Sequence, residues 1–256
     1  MKILIVTDAA PPQVNGVVRT LMQLKSDCEA MGHKVDFITP SDCFTLPNPL
    51  YPEVRLSFFG KSRIEKYIAS EKPDAIHIAT EGPLGLSARR LCIKRGYAFT
   101  TSYHTNFPTY FKKKFNISRD FSYKFIRWFH GPSAGVMVAT QAVKDELRSF
   151  GIHNLMDWTR GVDTSLFRPI SEKVMDVKGP VYIHVGRVSV EKNIDEFLDL
   201  DLDGTKIVVG GGPDLESLKK QYPDTIFTGP KFGEELAKYY NLGDVFVFPS
   251  KFDTFG

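Results

Sequence analysis

The stretch Val185–Asn193, VGRVSVEKN, sets Arg187 and Lys192 in a short loop between an apolar run and an apolar-periodic segment. A guanidinium and an ammonium held between a strand and a helix suit a phosphate, because the first N–H groups of a helix lack internal partners and the two cations add charge. The same charges would also suit a solvated loop, and spacing alone leaves both readings open. The nearby VVGGGP at Val208–Pro213 lacks the G-x-G-x-x-G dinucleotide fingerprint and reads as a glycine turn. In QVNGVVRT, Gly16 opens a predicted helix, where a missing Cβ lets a ligand approach the backbone, although a plain helix-initiating turn explains it too. In TSYHTNFPTYF, His104 directly follows a predicted strand. An imidazole at the carboxyl end of a parallel strand can exchange a hydrogen bond with a sugar hydroxyl, and taken alone it also fits a structural role. His33, His130 and His153 fall in turns or at a helix end, and His77 and His184 lie within strands where core packing accounts for them.

The segment FKKKFNISRDFSYKFIRWFH gathers Lys112, Lys113, Lys114, Arg119, Lys124 and Arg127 against Asp120 alone, interleaved with Phe111, Phe115, Phe121, Phe125, Trp128 and Phe129. Cations beside aromatics suit an anionic membrane surface, where each near-surface Lys or Arg contributes roughly 1 kcal/mol. Single-stranded nucleic acid would accept the same mixture, and a half-buried helix with a solvated face also produces it.

These residues are presented by an alternation of short apolar runs and helical periods. Strands are predicted at Lys2–Thr7, over HKVDFITP, and at Ala75–Ile78, Tyr97–Tyr103 and Gly135–Ala139. Between them helices are predicted from Val17 to Met31, and at Arg63–Ser70, Leu84–Lys94, Phe121–His130 and Ala142–Phe150. Pro169, Gly179 and Pro180 mark a linker near Pro169–Gly179. A second set follows, with strands at Val181–Val185, Lys206–Val209, Thr225–Thr228 and Val245–Phe248, the last read as buried, and helices at Ile194–Leu200, Leu215–Tyr222 and Glu234–Asn241. The pattern is α/β with mainly parallel sheets, divided into domains at 1–170 and 171–256. With 256 residues, 42% hydrophobic and 25% charged, the chain can bury two modest cores. A net charge of +3 does not by itself argue for nucleic acid. Cys28, Cys43 and Cys92 are odd in number and widely spaced, which fits neither a disulfide framework nor a zinc site and reads as reduced thiols in the cytoplasm. No stretch is long enough to span a bilayer, so any membrane contact is expected to be peripheral, on the inner face.

NGVVRT, ATEGPLG, YHTNFP, RGVDTSLFRP, VGRVSVEKN and VFVFPSKFDTFG, taken in this order, resemble the retaining family 4 glycosyltransferases of the GT-B fold. The likeness runs over the whole chain and points to the branch of GDP-mannose-dependent α-mannosyltransferases and glycolipid-making enzymes. It implies two Rossmann-like domains facing a cleft, an acceptor domain at 1–170 and a donor domain at 171–256. The second is expected to be truncated, as in a fragment or a naturally shortened chain. By motif position, Asn15, Gly16 and Val17 would face the donor phosphates, His104 would contact the donor sugar near the reacting centre, and Arg187 with Lys192 would hold the pyrophosphate. Asp253 would contact donor hydroxyls, one methylene shorter than the Glu usual there, with Phe255 and Gly256 beside it. Lys112, Lys113, Lys114 and Arg119 would face the acceptor or a membrane.

The resemblance implies transfer of a hexose from a GDP- or UDP-sugar to a lipid or glycan hydroxyl by same-face attack, with no metal, no other cofactor and no nucleic-acid partner. A non-catalytic nucleotide-sugar or membrane-surface binding protein is the alternative, because the resemblance implies a pair of carboxylates of which Asp253 holds the first place and the second would lie past Gly256.

Overall fold

A computed structural model describes residues 1–13, 15–47, 55–58, 60–104, 108, 116–159 and 161–250. The chain divides into two compact units at Arg160/Gly161.

In the first unit, strands β1 (Lys2–Val6), β2 (Lys34–Ile38), β5 (Ala75–Ile78), β6 (Thr100–Ser102), β7 (Gly135–Val138) and β8 (Leu155–Asp157) form a parallel sheet in the order β2-β1-β5-β6-β7-β8. Successive strand side chains point to opposite faces. Leu4 and Val6 accordingly enter one core with Ile76, Ile78, Leu84 and Phe129, while Ile5 enters a second with Leu21, Val35 and Ala79. Both faces are covered by helices, so β1 reads as a continuous apolar run rather than an alternating one. The covering helices are α1 (Gly16–Ala30), α2 (Gly60–Glu71), α3 (Pro83–Arg95), α4 (Arg119–His130) and α5 (Gln141–Ser149). Asn15 caps α1, its Oδ1 accepting from the Val18 N–H at 3.0 Å. An antiparallel hairpin of β3 (Phe44–Pro47) and β4 (Arg55–Phe58) stands apart from the sheet. It and the three-residue β8 have no sequence signal long enough to mark them.

The second unit carries β9 (Val181–Val185), β10 (Thr205–Val209), β11 (Ile226–Gly229) and β12 (Val245–Phe246) in the parallel order β11-β10-β9-β12, with helices α6 (Ile194–Leu198), α7 (Leu215–Gln221) and α8 (Gly233–Leu242). Pro169–Gly179 lacks regular structure, yet it is attached to this unit. Val174, Met175 and Val177, with Phe167, pack against the core of Val181, Ile183, Ile207 and Tyr239, and Asn241 bonds the backbone at Arg168 and Ile170. The run expected as a buried strand at Val245–Phe248 is shorter and more exposed. β12 pairs with β9 alone among the described residues, leaving Val245 44% and Phe246 50% exposed. No helix among the described residues is long and apolar enough to cross a membrane.

Candidate functional site

Open parallel sheets bind ligands outside the carboxyl ends of their strands, at the point where strand order reverses. In the first unit β1 sends the chain one way to β2 and has β5 on its other side, so the reversal lies between β1 and β5. The residues past those ends are Thr7 and Asp8 after β1, and Ala79 to Gly82 after β5. Asp8 is buried and locks the two loops together. Its carboxylate accepts from the Leu84 and Gly85 N–H groups at 2.9 and 3.3 Å and from the Thr80 hydroxyl at 2.9 Å, occupying the start of α3. Burial still pushes its pKa above the ordinary carboxylate value, because desolvation outweighs these donors. The turn closes so tightly that a Cβ on Gly85 would fall 1.8 Å from the Thr80 carbonyl oxygen. This contact accounts for the last glycine of ATEGPLG as a packing requirement.

His104 follows β6 at the same end of the sheet and is 9% exposed. Its ring meets Trp158 edge-on, with centroids 5.3 Å apart and planes at 61°. Trp158 also meets His77 of β5 at 5.9 Å and 83°. His77 is hydrogen-bonded on both nitrogens, Nδ1 to Thr100 Oγ1 at 2.9 Å and Nε2 to Ser102 Oγ at 3.2 Å. The Ser102 hydroxyl donates to the Ala79 carbonyl, so Nε2 carries the hydrogen and Nδ1 accepts from Thr100. This tautomer is the neutral ring, in keeping with a pKa pushed down by burial from 6.5 to about 4. The unfolded chain therefore binds the proton more readily, and the stability this ring contributes is complete above pH 6.5 and lost as pH falls towards 4. Between pH 7 and pH 4.5 the protein should lose about 2–3 kcal/mol more than a His77→Gln variant. Urea midpoints at the two pH values, converted with a common m-value, check it.

Behind His104, the Glu81–His130 contact is fully enclosed. His130 Nε2 lies 3.2 Å from Glu81 Oε1 and Nδ1 lies 2.8 Å from Thr101 Oγ1, with side-chain exposures of 0% for His130 and 6% for Glu81. The His130 ring stands 6.2 Å from Tyr103, the residue before His104. None of Asp8, Glu81, His130 and Trp158 was marked by sequence spacing. An aspartate ending an apolar run and a tryptophan in an aperiodic stretch carry no period to count.

In the second unit the order reverses between β9 and β12. Arg187 and Lys192 both lie in the segment after β9, Arg187 exposed and Lys192 half-buried at the end of the 3₁₀ turn Val190–Lys192. Three backbone hydrogen bonds hold the start of this segment, from Gly186 to Val209, Val188 to Gly211 and Asp214 to Val188. They require close approach, since a Cβ on Gly210 would fall 1.7 Å from the Gly186 carbonyl oxygen, which gives VVGGGP its role as a brace for the loop. The strand before it and the far end are both tied to the residues after β12. Asn193 Nδ2 donates to the Pro249 carbonyl at 3.3 Å, His184 Nδ1 to the Val247 carbonyl at 3.0 Å, and Lys192 Nζ stands 5.9 Å from the centre of the Phe248 ring. The following helix has only five residues, so the two side chains, rather than a helix dipole, supply the positive charge here.

Arg119 is engaged within the first unit, paired with Glu146 and lying 5.9 Å over the Tyr123 ring, so it joins α4 to α5. The outer face of α4 carries Phe121, Phe125 and Trp128 at 68%, 39% and 46% exposure, with Lys124 and Arg127 exposed beside them. Lys112, Lys113, Lys114, Asp253, Phe255 and Gly256 lie outside the described residues.

Comparison with known proteins places this geometry in a family. Residues 14–166 match the model of Glycosyltransferase Family 4. The chain is similar to a GDP-mannose-dependent alpha-mannosyltransferase of Corynebacterium glutamicum, 28% identical over all of this chain and 68% of the relative. It is also similar to the sulfoquinovosyl transferase SQD2 of Arabidopsis thaliana, 31% identical over 83% of this chain and 45% of the relative. It thus spans about two thirds of the first relative and under half of the second. Among solved structures, sucrose-phosphate synthase from Thermosynechococcus elongatus superposes with a TM-score of 0.78 at 18% identity, covering all of this chain and 77% of that one, a likeness of fold. The fold is α/β of the GT-B kind, and the chain belongs to glycosyltransferase family 4.

Proposed function

We propose that this family 4 glycosyltransferase moves a hexosyl group from a nucleoside diphosphate sugar, with GDP-mannose the first donor to try, to a hydroxyl of a lipid or glycan acceptor with retention of configuration. The observation that carries the reading is the placement of Arg187 and Lys192 just past β9, at the strand-order reversal of the second sheet. Breaking the anomeric bond leaves negative charge on the departing diphosphate, and cations fixed before the reaction stabilise that charge more than they stabilise the ground state. The mannosyltransferase likeness supports a GDP donor, while UDP-sugars remain within the family chemistry. His104, buried among aromatic rings, is read as a hydrogen-bonding partner of the donor sugar. Asp253, with Phe255 and Gly256, is assigned to donor hydroxyls on the family resemblance alone.

Gly16 supports the same reading from the first unit. A Cβ there would meet nothing within 4 Å, and its φ is not in the left-handed region, so neither packing nor backbone conformation demands a glycine. A ligand lying against the start of α1, with Asn15 and Val17 on either side, would demand one. The α4 face, with its three exposed aromatics and two cations, fits an anionic bilayer carrying a lipid acceptor, with Lys112, Lys113 and Lys114 adding charge.

The test is nucleotide release and product formation from GDP-mannose and UDP-glucose with diacylglycerol in anionic vesicles or with free glycans. Transfer from one donor is expected, and Gly16→Ala should reduce it at least 10-fold with the melting temperature unchanged. Donor binding without transfer to any acceptor would overturn the enzymatic reading in favour of a binding protein.

A further inference from the structure

We propose that Trp158 is a positioning residue that fixes the His104 imidazole, an inference that rests on the reading of His104 as a group at the donor sugar. Trp158 follows the edge strand β8, and its backbone N–H donates to the Val138 carbonyl at 3.0 Å. Its indole turns back over the sheet instead of outwards. It reaches His77 in β5 and His104 after β6, and it packs on the core of Ile5, Leu21, Val35 and Ala79, against which Val17 in the first turn of α1 also packs. One half-buried side chain thus joins the residue after β6 to the core beneath the helix that begins at Gly16.

The order in which these groups are fixed gives the contact its direction. Two hydroxyls of β6 hold His77 in plane and in one tautomer, and burial keeps it neutral. The indole rests edge-on against that rigid ring, and His104 rests edge-on against the indole. Edge-on ring contacts favour particular mutual orientations, which biases a ring between rotamers without deciding whether the chain folds. Filling the core alone would not call for this residue, since a leucine could cover the aliphatic cluster. Meeting two rings at steep angles takes an extended aromatic edge.

Two readouts test the proposal. With ¹³C-labelled histidine, the His104 ring C–H resonances should show one ring-current-shifted position in the wild type and in Trp158→Phe, and should move and average in Trp158→Leu. Unmoved resonances in Trp158→Leu would overturn the proposal, whether or not the protein transfers sugar. In the transfer assay, Trp158→Leu should lower kcat about 10-fold with KM for GDP-mannose changed less than 3-fold, and Trp158→Phe should restore most of it. In a His104→Ala background the same change should cost less than 2-fold, because its effect runs through the imidazole; an equal 10-fold loss there would overturn the positioning role. A wild type that transfers no sugar while its His104 resonances respond as expected would instead count against the proposed function and leave the packing of Trp158 on His104 standing.

Discussion

Lys192→Ala should lower kcat for sugar transfer by about 10²–10³-fold, corresponding to roughly 2.7–4 kcal/mol of lost transition-state stabilisation, while the protein should still melt within a few degrees of the wild type. The two halves of this expectation have separate causes. The loop does not depend on this side chain alone. The ammonium lies 5.9 Å from the Phe248 ring, a contact worth about 0.5–1 kcal/mol, and the loop around it is held by backbone bonds and by Asn193. In transfer, the departing diphosphate gains charge as the anomeric bond breaks, and an ammonium already in place needs no reorganisation to meet it. Lys192→Arg keeps the charge and should recover part of the rate. Arg187→Ala should act in the same direction, and on the proposed reading that both cations meet one leaving group the double variant should lose less than the product of the two single losses. Released nucleotide followed over a range of donor concentrations separates the possibilities. A raised KM at constant kcat would make Lys192 a ground-state contact only, and an unaltered kcat/KM would remove it from the site.

The parts of the molecule that repeat were open to sequence reading, and the parts that act once were not. The apolar runs at Lys2–Val6, Ala75–Ile78 and Val181–Val185 and the periodic helices between them follow from patterning, because a strand covered on both faces must be apolar throughout and a covering helix must be apolar along one stripe. The hairpin Phe44–Phe58 and the three residues of β8 lie at sheet edges or off the sheet, where short length removes the period. The site was partly legible for a topological reason. His104, Gly16 and Arg187 each lie within two residues of a strand's carboxyl end or begin a helix, and such positions can be found once the strands are found, while Lys192 ends the short turn in the loop that follows β9. Asp8, Glu81 and His130 act through contacts between elements 49 to 77 residues apart in the chain, and a single sequence does not record which distant loops meet. Arg119 shows the converse. Its charge is visible in the sequence, while its partner Glu146 on the next helix is not. The aromatic face of α4 was visible as composition, and the structure resolves it into Phe121, Phe125 and Trp128 outside with Tyr123, Ile126 and Phe129 inside.

Glu81→Ala should destabilise the first unit by about 1–3 kcal/mol, because it leaves the His130 ring enclosed with one nitrogen facing no acceptor. The ring cannot turn away to find another. Nδ1 is committed to Thr101, the backbone carbonyl of His130 takes the Ser133 hydroxyl at 2.7 Å, and Asn154 ties Ser133 in turn through its carbonyl at 2.7 Å. Glu81→Gln keeps an oxygen acceptor at the same reach and should cost much less. Removing both members together, as Glu81→Leu with His130→Phe, should recover most of the stability lost by Glu81→Ala alone, since an enclosed polar pair replaced by apolar groups of similar size is often neutral. Urea unfolding of the four proteins at pH 7 gives the comparison, and a Glu81→Ala loss below about 1 kcal/mol would show that water reaches the ring. The pair also bears on chemistry, because His130 packs on Tyr103 and Tyr103 precedes His104. The double apolar variant should therefore fold well yet transfer sugar more slowly than the wild type, separating the stability of this enclosed pair from its part in holding the loop after β6.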